Sequence, residues 1–175
     1  VVSWNVSSLQ GLKFFTALTS LDCRNNLLTE LEIGITENQN LVYLDCSNND
    51  YMTSVDVDHH YSLETLDASG CSNLTELSCK SCGLTPLDAN NCYVLEELYC
   101  PENQLTALDL SYCYELKNLY CPENQLTSLN LRYCEEMSSL NCRDNQLTAL
   151  DVSIFPELEY LYCDNNRLTS LDVSA

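Results

Sequence analysis

The residues with the most chemistry to offer are twelve cysteines, two adjacent histidines and a large excess of carboxylates. Thiols can pair as disulfides, ligate soft metals or act as nucleophiles, and their spacing decides among these. Cys23, Cys46, Cys79, Cys100, Cys121, Cys142 and Cys163 all sit in the same local pattern, L-x-C, and Cys71, Cys92, Cys113 and Cys134 recur 21 residues apart with Phe155 in the next place. His59 and His60, with Cys71 and the Cys79-x-x-Cys82 pair, form a candidate zinc set. The competing reading is that this C-x-x-C spacing follows from a repeated cysteine plus a cysteine standing where the other units carry asparagine. It is the stronger one, and no metal or other cofactor is expected. A catalytic constellation would need a nucleophile, a base and an orienting group converging in a pocket. Carboxylates that recur as columns and histidines confined to one excursion give no such convergence, so an enzyme is not expected.

What must position these residues is a repeat. Leu98–Thr106 reads LYCPENQLT, and Leu119–Thr127 reads the same again. Units opening at Leu18, Leu41, Leu74, Leu95, Leu116, Met137 and Leu158 follow L-x-x-L-x-C-x-x-N-x-L-T-x-L-D-[LVIA]. A period in the twenties with this pattern is the signature of a leucine-rich-repeat solenoid. The expected fold is therefore mainly β, with a parallel sheet on the front, short extended segments on the back and little helix, since 21 residues leave no room for a long convex helix. Residues 1–17 read as a lead-in and partial coil and 18–175 as a seven-coil solenoid. An irregular excursion at about 50–62 absorbs the extra length of the 33-residue unit. That stretch, MTSVDVDHHYS at its heart, reads either as a bulge or as an additional half-turn.

Columns across coils give each position a role. Neighbouring strands lie about 4.8 Å apart, further than the roughly 3.8 Å between Cβ atoms that a disulfide prefers. The first cysteine column also has an odd count, so both columns read as ladders of buried free thiols rather than disulfides. Asn26, Asn49, Cys82, Asn103, Asn124, Asn145 and Asn166 form a turn column whose amides satisfy buried backbone groups. Glu32, Asp56, Asp67, Asp88, Asp109, Asp151 and Asp172, with Asn130, form an acidic column on the back. Capping of turn N–H groups is favoured there over calcium, for which no D-x-D-x-D-G loop exists.

Outward positions of the front sheet are free to specify a partner. Reading across coils places Asp22, Asp45, Ser78, Tyr99, Tyr120, Asn141 and Tyr162 in the centre. The candidate partner-binding set is Tyr43, Glu76, Glu97, Tyr99, Glu102, Tyr120, Glu123, Tyr160 and Tyr162. Tyrosines among carboxylates bury large area at low entropic cost and steer basic partners. A basic protein ligand is the expected partner, with carbohydrate or cell wall as the alternative.

The whole chain of 175 residues carries 26 acidic and 7 basic side chains, a net charge of −19. Such a balance argues against nucleic acid, whose binding rests on Lys and Arg contacts. No stretch is long and apolar enough to insert in a membrane, and the N-terminus has neither Met nor a signal-peptide layout. The last repeat runs into the final residues without a cap, which raises the expectation of self-association through that end.

The repeats LYCPENQLTALDLS and LNCRDNQLTALDVS, and the opening LQGLKFFTALTSLDCRNNLLTEL, resemble the cysteine-containing repeats of bacterial cell-surface leucine-rich-repeat proteins, the internalin J group. This resemblance implies a secreted or wall-attached bacterial adhesin or receptor-binding segment, located outside the cell or on its surface, in which stacked cysteines replace core aliphatics.

Overall fold

The computed structural model describes residues 2–172. Residue 1 and residues 173–175, the end of the expected solenoid, lie outside the described residues. A 3-10 turn at Leu12–Phe14 is the one helical element among those described, and fifteen strands follow. The strands are short because each half-repeat supplies one inward Leu or Val between two outward residues, the alternation that a strand imposes.

Two faces result. On one lie β1 (Ser20–Asp22), β3 (Tyr43–Asp45), β5 (Thr65–Asp67), β7 (Leu87–Asp88), β9 (Ala107–Asp109), β11 (Ser128–Asn130), β13 (Ala149–Asp151) and β15 (Ser170–Asp172). Their pairing divides into β1-β3-β5-β7, β9-β11 and β13-β15. The other face is one unbroken sheet of β2 (Glu30–Glu32), β4 (Ser54–Asp56), β6 (Glu76–Ser78), β8 (Glu97–Tyr99), β10 (Asn118–Tyr120), β12 (Ser139–Asn141) and β14 (Tyr160–Tyr162). All pairing is parallel and in register, with Leu77 opposite Leu98 and Leu98 opposite Leu119. Between the faces runs a single core of leucines and cysteines, most of them inaccessible to solvent.

Residues 50–62 are part of this regular architecture. Met52, Val55 and Val57 are buried, and β4 takes its place between β2 and β6, with Val55 opposite Leu31 on one side and Leu77 on the other. The segment is a half-coil, and its presence moves every later L-x-C motif to the opposite face. Cys23 and Cys46, which follow β1 and β3, therefore belong with Ala68, Ala89, Leu110, Leu131 and Val152. Cys79, Cys100, Cys121, Cys142 and Cys163 belong with Ile33 and Val57. The single seven-cysteine column expected from sequence is thus two partial columns on opposite faces. The acidic column is corrected in the same way: Glu32 and Asp56 stand on the β2–β14 face, whereas Asp22 and Asp45 continue into Asp67 and Asp88 by direct register.

The second cysteine column continues the asparagine column of its face, so Asn26 and Asn49 are succeeded by Cys71, Cys92, Cys113, Cys134 and Phe155. The bonds show why the exchange works. Asn49 Nδ2 donates to the Cys23 carbonyl of the preceding coil at 3.1 Å. Cys71 Sγ donates to the Cys46 carbonyl at 3.4 Å, Cys92 Sγ to Ala68 at 3.3 Å and Cys134 Sγ to Leu110 at 3.2 Å. These thiols are apolar filler and also weak donors at an amide's post.

Candidate functional site

All twelve cysteines are free, and all but Cys163 are buried. Burial first, and then neighbouring carboxylates, push the Cys23 thiol up to about 12. Burial likewise raises Cys71 to about 11 and holds Cys46, Cys79, Cys100 and Cys121 well above the ordinary thiol range. A nucleophilic or metal-binding cysteine needs the thiolate, and desolvation here opposes it at each position.

The zinc candidates do not converge. Among the described residues no three His, Cys, Asp or Glu side chains are grouped to hold a metal ion. Cys71 lies in the turn column of the β1–β15 face, whereas Cys82 donates to the Val57 carbonyl at 3.2 Å on the other. His60 stands one coil before Cys82 in the asparagine column, with Nδ1 3.0 Å from the Val57 carbonyl and Nε2 2.9 Å from that of Glu37. His59 is in the left-handed region and meets the Tyr61 hydroxyl at 3.5 Å.

The acidic residues of the β1–β15 face hold their own turns. One carboxylate oxygen of Asp67 accepts the Ser69 N–H at 2.9 Å, that of Asp88 the Asn90 N–H at 2.9 Å, and that of Asp151 the Ser153 N–H at 3.0 Å. Asn130 does the same for Arg132 at 3.2 Å. Asp45, expected to point outward, is only 2% exposed: Ser47 donates to one oxygen at 2.6 Å, and Arg24 reaches the other at 3.3 Å.

Of the nine candidate partner-binding residues, eight share the β2–β14 face or the turns that leave it. Tyr43 does not. It lies on β3, on the opposite face, with its hydroxyl 3.4 Å from Asp45. The half-coil is the physical reason. On the β2–β14 face the outward column reads Glu32, Asp56, Ser78, Tyr99, Tyr120, Asn141 and Tyr162, and the column two residues earlier carries Glu76, Glu97, Asn118 and Tyr160. Tyr99 donates a short hydrogen bond to Glu97, which with burial holds its hydroxyl up to about 12. Tyr120, Tyr160 and Tyr162 are exposed. A shallow depression of about 190 Å³ continues the face toward its first strands, lined by Glu30, Glu32, Ser54, Asp56 and Glu76.

The turns leaving this face each pass through one left-handed residue. At Asn165 that residue suits the conformation, but at Glu102 (φ 57°) and Glu123 (φ 55°) a long side chain occupies it. Asn, Asp and Gly tolerate this region best, so both glutamates are held there at a cost, and Glu102 accepts a hydrogen bond from Ser81 at 2.7 Å. One aromatic group was not anticipated: Tyr93, Tyr112, Tyr114 and Tyr133 cluster on the turns after β7, β9 and β11. Their place on either side of the second cysteine column was the available signal.

The family model for two copies of the leucine-rich repeat matches residues 135–175. Among solved structures, the functional domain of InlJ from Listeria monocytogenes, which includes a cysteine ladder, is similar at 28% identity over 98% of this chain and 45% of that one, with a TM-score of 0.49. A leucine-rich-repeat protein of Leptospira interrogans is similar at 19% identity over 99% of this chain and 56% of that one, with a TM-score of 0.54. The chain spans about half the length of these structures. No curated protein matches it. Among the described residues, no helix is long and apolar enough to cross a membrane. Parallel strands stacked coil on coil, a core of inward leucines and cysteines, and the matched repeats make the chain a leucine-rich-repeat solenoid.

Proposed function

We propose that this solenoid is a non-catalytic protein-binding module, a bacterial surface adhesin or receptor-binding segment, and that it engages a basic protein partner through the β2–β14 face. One observation carries the reading. That face is a continuous seven-stranded sheet on which Tyr99, Tyr120 and Tyr162 share one outward column and Tyr160 shares the neighbouring column with Glu76 and Glu97, with Glu102 and Glu123 on the turns that follow. Tyrosine on a rigid strand gives contact area with little entropy to lose, and the carboxylates choose the sign of the partner. The strained placement of Glu102 and Glu123 supports the same reading, because a turn selected for stability alone would carry Asn or Gly. Leucine-rich-repeat proteins are typically binding modules of this kind, and the resemblance of the repeats to cell-surface proteins supports the location.

The test is a pull-down from host and bacterial surface extracts with the unaltered chain and with Tyr99, Tyr120 and Tyr162 all changed to Ala. The variant is expected to lose the captured protein, and equal recovery by both would overturn the assignment of the face. A glycan-array signal that disappears on changing Tyr99 and Tyr120 would replace the protein partner by a carbohydrate.

A further inference from the structure

His60 is buried, only 1% exposed, and stands at the post that asparagine holds in most coils of the β2–β14 face. Asn103 shows what that post asks for: its Nδ2 donates to the Cys79 carbonyl at 2.8 Å and to the Cys100 carbonyl at 3.1 Å. An amide supplies both donors from one nitrogen, whereas an imidazole must supply them from two. His60 Nδ1 lies 3.0 Å from the Val57 carbonyl oxygen and 3.2 Å from that of Asp58, and Nε2 lies 2.9 Å from that of Glu37. All three partners are backbone carbonyls, which accept and cannot donate. A neutral ring carries one N–H, so either tautomer would set a ring lone pair against a carbonyl oxygen at 2.9 or 3.0 Å. Only the protonated ring donates on both sides.

We propose that His60 is an imidazolium in the folded chain, a protonated clasp that ties the half-coil of β4 to residues 34–38 and releases them as pH rises. The charged groups around the ring favour the cation. Asp56 and Asp58 belong to its own turn and Glu37 to the segment it clasps. The Asp58 carboxylate is fixed there, accepting from Ser78 Oγ at 2.7 Å and from the Lys80 N–H at 2.6 Å. From the following coil, the Cys82 thiol donates to the same Val57 carbonyl at 3.2 Å, and burial holds it protonated, up to about 12. The Lys80 ammonium turns to Glu102, 3.8 Å away, and the adjoining His59 ring to the Tyr61 hydroxyl. Carboxylates therefore surround a ring that no free cation opposes. The clasped segment has little else to hold it on this side. Among the described residues nothing but His60 donates to the Glu37 carbonyl, and the neighbouring Asn38 Oδ1 is buried with no hydrogen-bond partner. Asn38 Nδ2 ties the segment instead to the Leu12 and Phe15 carbonyls, at 3.1 and 3.0 Å. An unfolded chain gives up its histidine proton near pH 6.5, the ordinary value, whereas the fold uses that proton. The clasp's contribution is thus complete below that range and is lost as pH rises through the titration of the folded ring.

The experiment sets the unaltered chain beside His60→Asn, which restores the usual residue of the column, and His59→Asn, which leaves His60 as the one histidine and suits the left-handed backbone there. Urea unfolding in reductant is read at pH 6 and pH 8, where ordinary carboxylates stay ionised and ordinary thiols protonated. Between these values the unfolding constants of the unaltered chain and of His59→Asn are expected to rise about fivefold more than that of His60→Asn. Nitrogen-resolved NMR of His59→Asn should show protons on both ring nitrogens at pH 7. The amide protons of Glu37 and Leu41, which donate to the Gly34 and Asn38 carbonyls, should exchange faster from pH 7 to 8.5 than base catalysis alone requires, and those of Leu105 and Leu126 should not. Equal pH dependence of the unaltered chain and His60→Asn, or a single N–H on the His60 ring at pH 7, would overturn the proposal. Should His60→Asn fail to fold, the ring spectrum of His59→Asn decides.

Discussion

Asparagine, cysteine and histidine share one post in this solenoid, and comparing them shows what the post requires. Asn124 is the full version: its Nδ2 donates to Cys100 at 3.0 Å and to Cys121 at 3.2 Å, and its Oδ1 accepts the Leu105 N–H at 3.1 Å. A thiol supplies one weak donor and no comparable acceptor. His60 presents ring nitrogens to the same kinds of carbonyl, of its own coil and of the segment before it. Replacing Asn124 by Ala would take one of two amide donors from each carbonyl, since Asn103 still reaches Cys100 at 3.1 Å and Asn145 still reaches Cys121 at 3.0 Å, and would leave the Leu105 N–H without its acceptor in the core, at a cost of about 1–3 kcal/mol. Asn124→Ala is therefore expected to lower unfolding stability by about 2 kcal/mol in a urea titration with an unchanged slope. A loss under about 0.5 kcal/mol, the range of surface changes, would show that the amide does not carry the turn. This much was legible in the sequence, because a residue that recurs at a fixed place in a turn declares a backbone role. That cysteine could take over the role was not legible, since thiol and amide look unrelated until their acceptors are seen to be equivalent carbonyls.

At the scale of the strand, the sequence announced the repeat but not the face. Each half-coil places an inward Leu or Val two residues before another inward residue, as in Leu44–Cys46 and Leu98–Cys100, and the local motif is the same on both faces. Only counting half-turns distinguishes them, and the count changes at β4, whose Ser-Val-Asp lacks the expected Leu and Cys. For that reason the local motif groups Tyr43 with Tyr99, although Tyr43 stands on the opposite face. The ladders themselves lead to a prediction. Burial raises the folded-state thiols, to about 12 for Cys23, Cys82, Cys92, Cys134 and Cys142, whereas the ordinary value is 9.0. Below the ordinary value both folded and unfolded chains keep their protons. Above it the unfolded chain releases protons that the folded chain retains, so stability is fully present below about pH 9 and falls as pH rises toward the folded values. Each affected thiol contributes up to about 1.4 kcal/mol per pH unit in that window. Thermal melts under reducing conditions are expected to show a steady Tm between pH 7 and 8.5 and a steep fall by pH 10.5. A flat Tm through that range would contradict burial of the thiols.

For the whole molecule, the charge of −19 is arranged rather than merely present. Parallel register sets Asp22 beside Asp45, Asp45 beside Asp67 and Asp67 beside Asp88, at the roughly 4.8 Å spacing of neighbouring strands. Arg24 bridges the first two at 3.3 Å each. The other ion pairs among the described residues, of Lys80, Lys117 and Arg143, are with Glu102, Glu96 and Asp144, outside this column. Like charges at that distance repel by about 1 kcal/mol in water, and salt reduces this as the Debye length falls from about 30 Å at 0.01 M to about 3 Å at 1 M. The turn hydrogen bond and the charge can be separated, because Asn130 in the same column accepts the Arg132 N–H with no charge at all. Asp88→Asn should therefore keep the bond to the Asn90 N–H while removing one repulsion with Asp67. The variant is expected to melt higher than the unaltered chain in 0.01 M NaCl and at the same temperature in 1 M NaCl. A variant that melts lower at both concentrations would mean that the carboxylate holds its turn by charge, and that the acidic column stabilises this face rather than straining it.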